Sequence, residues 1–420
     1  MFFGILLAVT WPLWLGQSEF PSIPLVSLPL PIGSWHVLGI LATLMMAIGL
    51  VLQWASARYQ PWGLKLILAG LVLSFLVDQH RLQAWADQFF FIAVFLNAIS
   101  PAERENRGKL ESGAGTSEQI LLLLRWLTCG IYIYSSFSKI DASFLASVGP
   151  EMVNTLIGSL GMSLEQFSTR VQNLLVLSLP VTEGLIGLAL ISGWFRRTVV
   201  VLAVVMHLAL ILVVGPWGWQ HQWGVFVWNL FFVFQVVCLF WPSADRSKVR
   251  TRSFVQRTPL ALSHSRPVAV LALGFALVFP LSEPFGVCDH WLAWELYAPR
   301  TSRAKVYLAS YSRDQLPEAI QDYLQPSDRP GWELLDLAEW SLTSRRAPLY
   351  PEDRFQLGLA MSLRRWIKDD RAVGVIWRKA ANRWTGEREE QWISGFSGLE
   401  RIKSEFRLNL APLDSMPTVK

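Results

Sequence analysis

Residues 181–211 read VTEGLIGLALISGWFRRTVVVLAVVMHLALI, and this stretch decides the fold class. Two aliphatic runs flank a short GWFRR link. Each extends into a window long enough to cross a hydrocarbon layer of about 30 Å, which takes about 20 mostly apolar helical residues. One carboxylate, Glu183, lies in the first run and one imidazole, His207, in the second. Working outward, windows near 36–55, 62–78, 83–99, 119–137, 172–192, 198–215, 222–241 and 267–282 qualify as spans. Residues 2–16 form a further apolar run, with neither a basic leader nor a small-residue cleavage site. They are expected to be a first membrane helix rather than a removed signal peptide. The expected architecture is an all-α polytopic membrane bundle of eight or nine transmembrane helices.

Composition agrees with this. The chain is 52% hydrophobic and only 16% charged, against about a quarter charged in soluble domains, which excludes a purely soluble protein. The charges are also unevenly placed: 29 fall in residues 1–282 and 40 in residues 283–420. Two units follow, a transmembrane domain over 1–282 and a small mixed α/β domain over 283–420. The formal charge of +5 comes entirely from the membrane half, because the last 138 residues carry 20 basic and 20 acidic side chains. A nucleic-acid-binding domain needs a basic face of its own, so nucleic acid is excluded as a partner. Cys129, Cys238 and Cys288 are too few and too scattered for a disulfide framework or a zinc knuckle.

Lysine and arginine in short loops resist translocation, so they mark the cytoplasmic side. If the loop 242–266 is cytoplasmic, its side collects Arg246, Lys248, Arg250, Arg252, Arg257 and Arg266. Alternation adds Arg196, Arg197, Arg104, Arg107, Lys109, Arg58 and Lys65. The other side receives Arg81, Lys139 and Arg170. Thirteen against three places the C-terminal domain outside the cytoplasm. Within that domain, Val306 and Leu308 alternate with polar positions over 303–310, as in a strand. Phe355, Leu359, Leu363, Trp366 and Ile367 recur at helical spacing after Pro351, Glu352 and Asp353. Acids begin that segment and Arg364, Arg365 and Lys368 end it, the order a helix dipole favours.

Ionisable groups at membrane depth cost several kcal/mol unless paired or wet, so each is a candidate site residue. Arg125, Cys129, Tyr132, Ser136 and Lys139 follow offsets that keep them on one face of the span 119–137 and its outer end. Lys139 is read either as a snorkelling anchor or as a functional amine. Glu183 lies about 16 Å and His207 about 12 Å from the outer ends of adjacent antiparallel helices, at 1.5 Å per residue, so the two can meet. Asn229 lies at similar depth. The group suits proton transfer, or else braces the bundle as an interhelical clamp. The outer segment 138–171 is either a lid over the helix ends or a plain connector. Asp78, Gln79, His80, Arg81, Gln83, Trp85 and Asp87 form a dense polar turn on the outer side, either an interface belt or one wall of a site. Of the 21 tryptophans, Trp11, Trp14, Trp35, Trp62, Trp217, Trp219, Trp223 and Trp241 fall near span ends, where aromatic belts belong. Cys288, Asp289 and His290 stand together without a second cluster, so no metal site is expected. Walker, dinucleotide and nucleophile-elbow motifs are absent.

The stretch Arg125–Leu145, RWLTCGIYIYSSFSKIDASFL, resembles the HTTM family (horizontally transferred transmembrane domain), which includes the membrane half of vitamin K-dependent gamma-carboxylase. Ser138, Lys139, Ile140 and Asp141 carry the likeness, with Glu183, Arg196 and His207 in the stretch quoted first. The pattern is shared more loosely with DoxX-like membrane proteins. The resemblance covers roughly residues 36–282. It implies a quinone-type or lipid-type molecule as ligand, with Lys139 matching a lysine implicated as the base in oxidation of vitamin K hydroquinone. Ser138 stands where the carboxylase has a second lysine, so glutamate carboxylation is not carried over. The expectation is redox or proton-transfer chemistry at an outward-facing pocket. Lys139, Glu183 and His207 would be its catalytic residues, with Arg125, Tyr132 and Asn229 holding the cofactor. Membrane lipids, and a protein partner bound through the outer domain, are the expected partners. The alternative is a non-catalytic scaffold or assembly protein.

Overall fold

The computed structural model describes residues 1–16, 19–98, 113–220, 223–241 and 267–413. Seven helices among them are long and apolar enough to cross a membrane. They are α3 (Ile32–Trp54), α4 (Gln60–Val77), α6 (Gly113–Lys139), α9 (Thr169–Ser192), α10 (Arg196–Val214), α11 (Trp223–Phe240) and α12 (Pro267–Val278), which a 3₁₀ turn prolongs to Phe285. The chain is thus an integral multi-pass membrane protein. Large aliphatics such as Val37, Ile48, Leu185 and Leu271 point outward from these helices, as a lipid-facing surface requires.

Two expected spans come out differently. Residues 2–16 form α1 (Phe2–Val9) and α2 (Trp11–Trp14), not one helix. Thr10 leaves helical geometry, and Pro12 has no N–H to continue the ladder. Helix α5 (Ala84–Asn97) has 14 residues, about 21 Å at 1.5 Å per residue and short of the hydrocarbon thickness. The 242–266 loop and residues 99–112, which carry nine of the thirteen charges expected on the cytoplasmic side, lie outside the described residues.

Between α6 and α9 lie α7 (Ala142–Ala146) and α8 (Val148–Gly158). They fold back over the helix ends: Phe144, Met152 and Val153 pack with Val176, Val213 and Val225 in one cluster.

The C-terminal domain is a five-stranded antiparallel sheet in the order β2-β3-β1-β4-β5. Its strands are β1 (Arg303–Ala309), β2 (Leu324–Pro326), β3 (Trp332–Leu335), β4 (Val373–Arg378) and β5 (Glu390–Ser394). Its helices are α13 (Glu318–Gln321), α14 (Leu337–Arg345), α15 (Asp353–Ser362) and α16 (Gly395–Ile402). The predicted strand and the predicted helix are both present, the helix tightening into a 3₁₀ turn at Leu363–Arg365. Strand β1 is central, so Tyr307 is buried as well as Val306 and Leu308; Trp392 packs on its ring.

The division at residue 282 is not the division of the core. Phe20 and Ile23, from the segment between α2 and α3, are fully buried among Trp340, Phe355 and Leu359 of the C-terminal domain. Gly358 makes room for this: a Cβ there would stand 2.6 Å from Ile23 Cδ1 and 2.4 Å from the Leu410 carbonyl.

Candidate functional site

Helix α9 approaches α6 closely because it offers glycine where α6 offers side chains. A Cβ at Gly184 would meet Ser136 Oγ at 2.6 Å, and one at Gly187 would meet Tyr132 Cβ at 3.0 Å. The Ser136 hydroxyl donates to the Pro180 carbonyl at 2.7 Å. This crossing sets Glu183 beside Lys139, whose Nζ donates to Glu183 Oε2 at 2.7 Å. Lys139 also donates to the carbonyl and hydroxyl of Ser135, one helical turn back. All three ammonium protons are engaged, and the residue is only 6% exposed. As placed, Lys139 is the donor of a buried ion pair.

A second polar chain crosses from α6 through α10 to α11. Tyr132 Oη lies 2.7 Å from His207 Nε2, and His207 Nδ1 lies 3.1 Å from Asn229 Oδ1. Its proton positions follow from one anchor. Asn229 Nδ2 donates to the Val225 carbonyl at 3.0 Å, a group that only accepts, so the amide oxygen faces His207. Nδ1 therefore carries hydrogen, and in the neutral ring Nε2 accepts the Tyr132 hydroxyl proton. Phe232 stacks on the imidazole at 4.8 Å and 9°, which fixes the ring plane.

Both chains line one cavity of about 100 Å³, the order of the ~150 Å³ apolar cavity that holds a benzene ring. Met152, Leu179, Met206, Trp228 and Phe232 supply apolar wall, and Leu296 and Tyr297 close it from the segment after the last span. That segment turns sharply: Trp294 and Tyr297 are left-handed, at φ 62° and 57°. Trp294 is held by a hydrogen bond from its indole to the Ala276 carbonyl at 3.1 Å. A second cavity, about 270 Å³, shares Trp228, Leu296 and Tyr297 with the first and runs under the C-terminal domain past Glu295 and Arg303.

Of the six residues expected at the site, five converge: Lys139, Glu183, His207, Tyr132 and Asn229. Glu183 and His207 do not bond to each other; each takes a partner on α6 instead. Arg125 is not part of the cavity. It donates to the Leu239 carbonyl at 2.8 Å, and the 14 residues to Lys139 span about 21 Å, so a shared face did not mean a shared site. Ser135 was missed, although its position four residues before Lys139 is the signal that finds it.

The polar turn after α4 has another role. Asp78 pairs with Arg345, both fully buried, Gln79 accepts from Arg354 Nε at 2.8 Å, and His80 lies 3.0 Å from Ser341 Oγ. The turn is therefore the socket in which the C-terminal domain sits. Burial, with Arg345 beside it, lowers the His80 pKa to about 3. Arg354 also grips Asp289; burial opposes the charged carboxylate, but Arg354 and Tyr350 hold Asp289 below its ordinary range.

Comparison with known protein families, curated proteins and solved structures finds no match to this chain. The site is therefore read from its own geometry.

Proposed function

We propose that the bundle binds the ring or chain of a membrane-soluble quinone or lipid and moves a proton at its polar end. The observation that carries this is the enclosure of five polar residues from four helices, Lys139, Glu183, Tyr132, His207 and Asn229, around one largely apolar cavity. Polar groups in hydrocarbon are tolerated when paired or functional, and these are arranged as a base with its orienting partner. A hydroxyl of the bound molecule, in the quinol form or in a hydroxylated lipid, passes its proton to Tyr132 Oη as the tyrosine proton moves to His207 Nε2. Asn229 Oδ1 holds the other side of the imidazolium that forms. The Lys139 ammonium, ion-paired with Glu183, stands by for the oxyanion. Lys139 is thus the electrostatic partner and His207 the proton acceptor.

The resemblance of Arg125–Leu145 to the HTTM family favours a quinone as the first molecule to try. The excess of lysine and arginine on the opposite loops favours an extracytoplasmic C-terminal domain. Labelling of a Trp384→Cys variant, at an exposed position, by an impermeant maleimide on intact cells tests that orientation. The alternative scaffold reading draws on the same satisfied hydrogen bonds.

Substitution separates the two. The purified full chain in detergent is titrated with a short-chain benzoquinone and melted. Under the ligand-site reading, Lys139→Ala weakens quinone binding at least about tenfold, one charge-assisted hydrogen bond being worth about 1.5–3 kcal/mol. Under the scaffold reading no variant binds the quinone, and Glu183→Ala lowers only the melting temperature.

A further inference from the structure

We propose that Glu283, His290 and Glu295 form a divalent-metal site, best suited to Zn²⁺, where the last span enters the C-terminal domain. One candidate ligand atom from each residue lies within 4.8 Å of the others, and all three residues are buried. The three span residues 283–295, too far apart to read as a compact motif. The residues nearest His290 in the chain, Cys288 and Asp289, are not in the group.

The imidazole is already held as a metal ligand is held. Glu352 Oε1 accepts from the His290 backbone N–H at 2.8 Å and lies 2.7 Å from Nδ1. The proton therefore belongs on Nδ1, and Nε2 faces Glu283 Oε1 at 3.3 Å. A carboxylate behind a histidine whose other nitrogen meets the ion is the recurrent outer-shell arrangement of zinc sites. Glu295 adds an independent sign: its Oε2 is buried and has no hydrogen-bond partner.

Charge balance points the same way. Glu283, Glu295, Glu352 and Asp289 are joined by ion pairs to two guanidiniums, those of Arg300 and Arg354. Arg300 reaches Glu283 at 3.0 Å and Glu295 at 3.6 Å from one side, with its Nε unpartnered. Four carboxylates thus gather around two guanidiniums and the His290 imidazole in a buried place, an acid-rich setting in which a divalent cation is favourably held. One imidazole and two carboxylates, without thiolate, suit Zn²⁺ better than a thiophilic ion, and three protein ligands leave a position open. Glu295 lines the second cavity, so the open position lies beside the space that adjoins Trp228 and Tyr297.

The test uses the full chain purified in detergent without chelator. Elemental analysis is expected to return one equivalent of zinc, and Co²⁺ added to stripped protein is expected to give visible ligand-field bands. Glu295→Gln, nearly isosteric, should weaken Co²⁺ binding about a hundredfold. Glu352→Gln should weaken it about ten- to a hundredfold through loss of the histidine's support. His290→Ala is a third arm if it folds. Failure of the chain to take up zinc or cobalt at micromolar concentration, or uptake unchanged by Glu295→Gln and Glu352→Gln, overturns the site. Quinone binding plays no part in these readouts, so they stand apart from the reading of the first cavity.

Discussion

The bundle cavity and the junction beneath the C-terminal domain both bury ionisable groups, yet they do so for different reasons. In the cavity, a few polar side chains interrupt long apolar helices, each pair comes from neighbouring helices, and apolar side chains complete the lining. At the junction, polar and charged residues interlock: Asp78 with Arg345 and Gln79 with Arg354 from remote parts of the chain, and Glu283 and Glu295 with the nearby Arg300. In the bundle the polar groups face a space of about 100 Å³, whereas at the junction pairs such as Asp78–Arg345 close on each other and the space of about 270 Å³ opens beside them, past Glu295 and Arg303. Burial alone therefore does not mark a site; burial next to unfilled space does.

The largest expected effect breaks the junction. Arg345 donates to Asp78 and to the carbonyls of Pro12 and Leu15, so Arg345→Ala strands a buried carboxylate. Removing one partner of such a pair costs about 3–5 kcal/mol. Thermal melting in detergent should show a large loss, with much of it recovered in Asp78→Asn combined with Arg345→Met. If Arg345→Ala melts like the parent, the junction is not what holds the domain to the bundle.

The two regions also differ in how far they could be read in advance. Glu183 and His207 stand out because an apolar run makes any charge conspicuous, and helical pitch alone places them at compatible depths. The partner choices were not legible. Whether His207 meets Glu183 or Tyr132 depends on how closely α6 and α9 pack, which Gly184 and Gly187 decide. At the junction, Asp78 stands out in sequence only as part of a polar turn and Arg345 not at all, since each has its partner more than 260 positions away. Phe20 and Ile23 escaped for the same reason: nothing local shows that a segment before the first long span completes a core more than 300 residues on.

A middle-sized effect is the pH dependence of the junction. With its pKa lowered to about 3 by burial, His80 stays neutral when folded but takes a proton near its ordinary value when unfolded. Between about pH 6.5 and 3 the unfolded chain binds more protons, so stability rises with pH across that window and falls on acidification. His80→Gln should flatten that part of the profile of melting temperature against pH. An unchanged profile would assign the acid sensitivity to other groups.

The smallest expected effect is the most discriminating for the cavity. Tyr132→Phe removes one hydroxyl, leaving His207 Nε2 without its donor while the stack on Phe232 and the Asn229 contact remain. A hydrogen bond of this kind is worth about 1 kcal/mol net, so the melting temperature should move by only a few degrees. If the hydroxyl relays a proton, its loss should slow proton transfer from a bound quinol far more than it weakens affinity, because the ring still fits and only the transfer path is cut. Equal losses of affinity and of proton-transfer rate would make Tyr132 a wall of the cavity rather than part of its chemistry. The contrast would then be one of packing alone, between a space in the bundle and a seal at the junction.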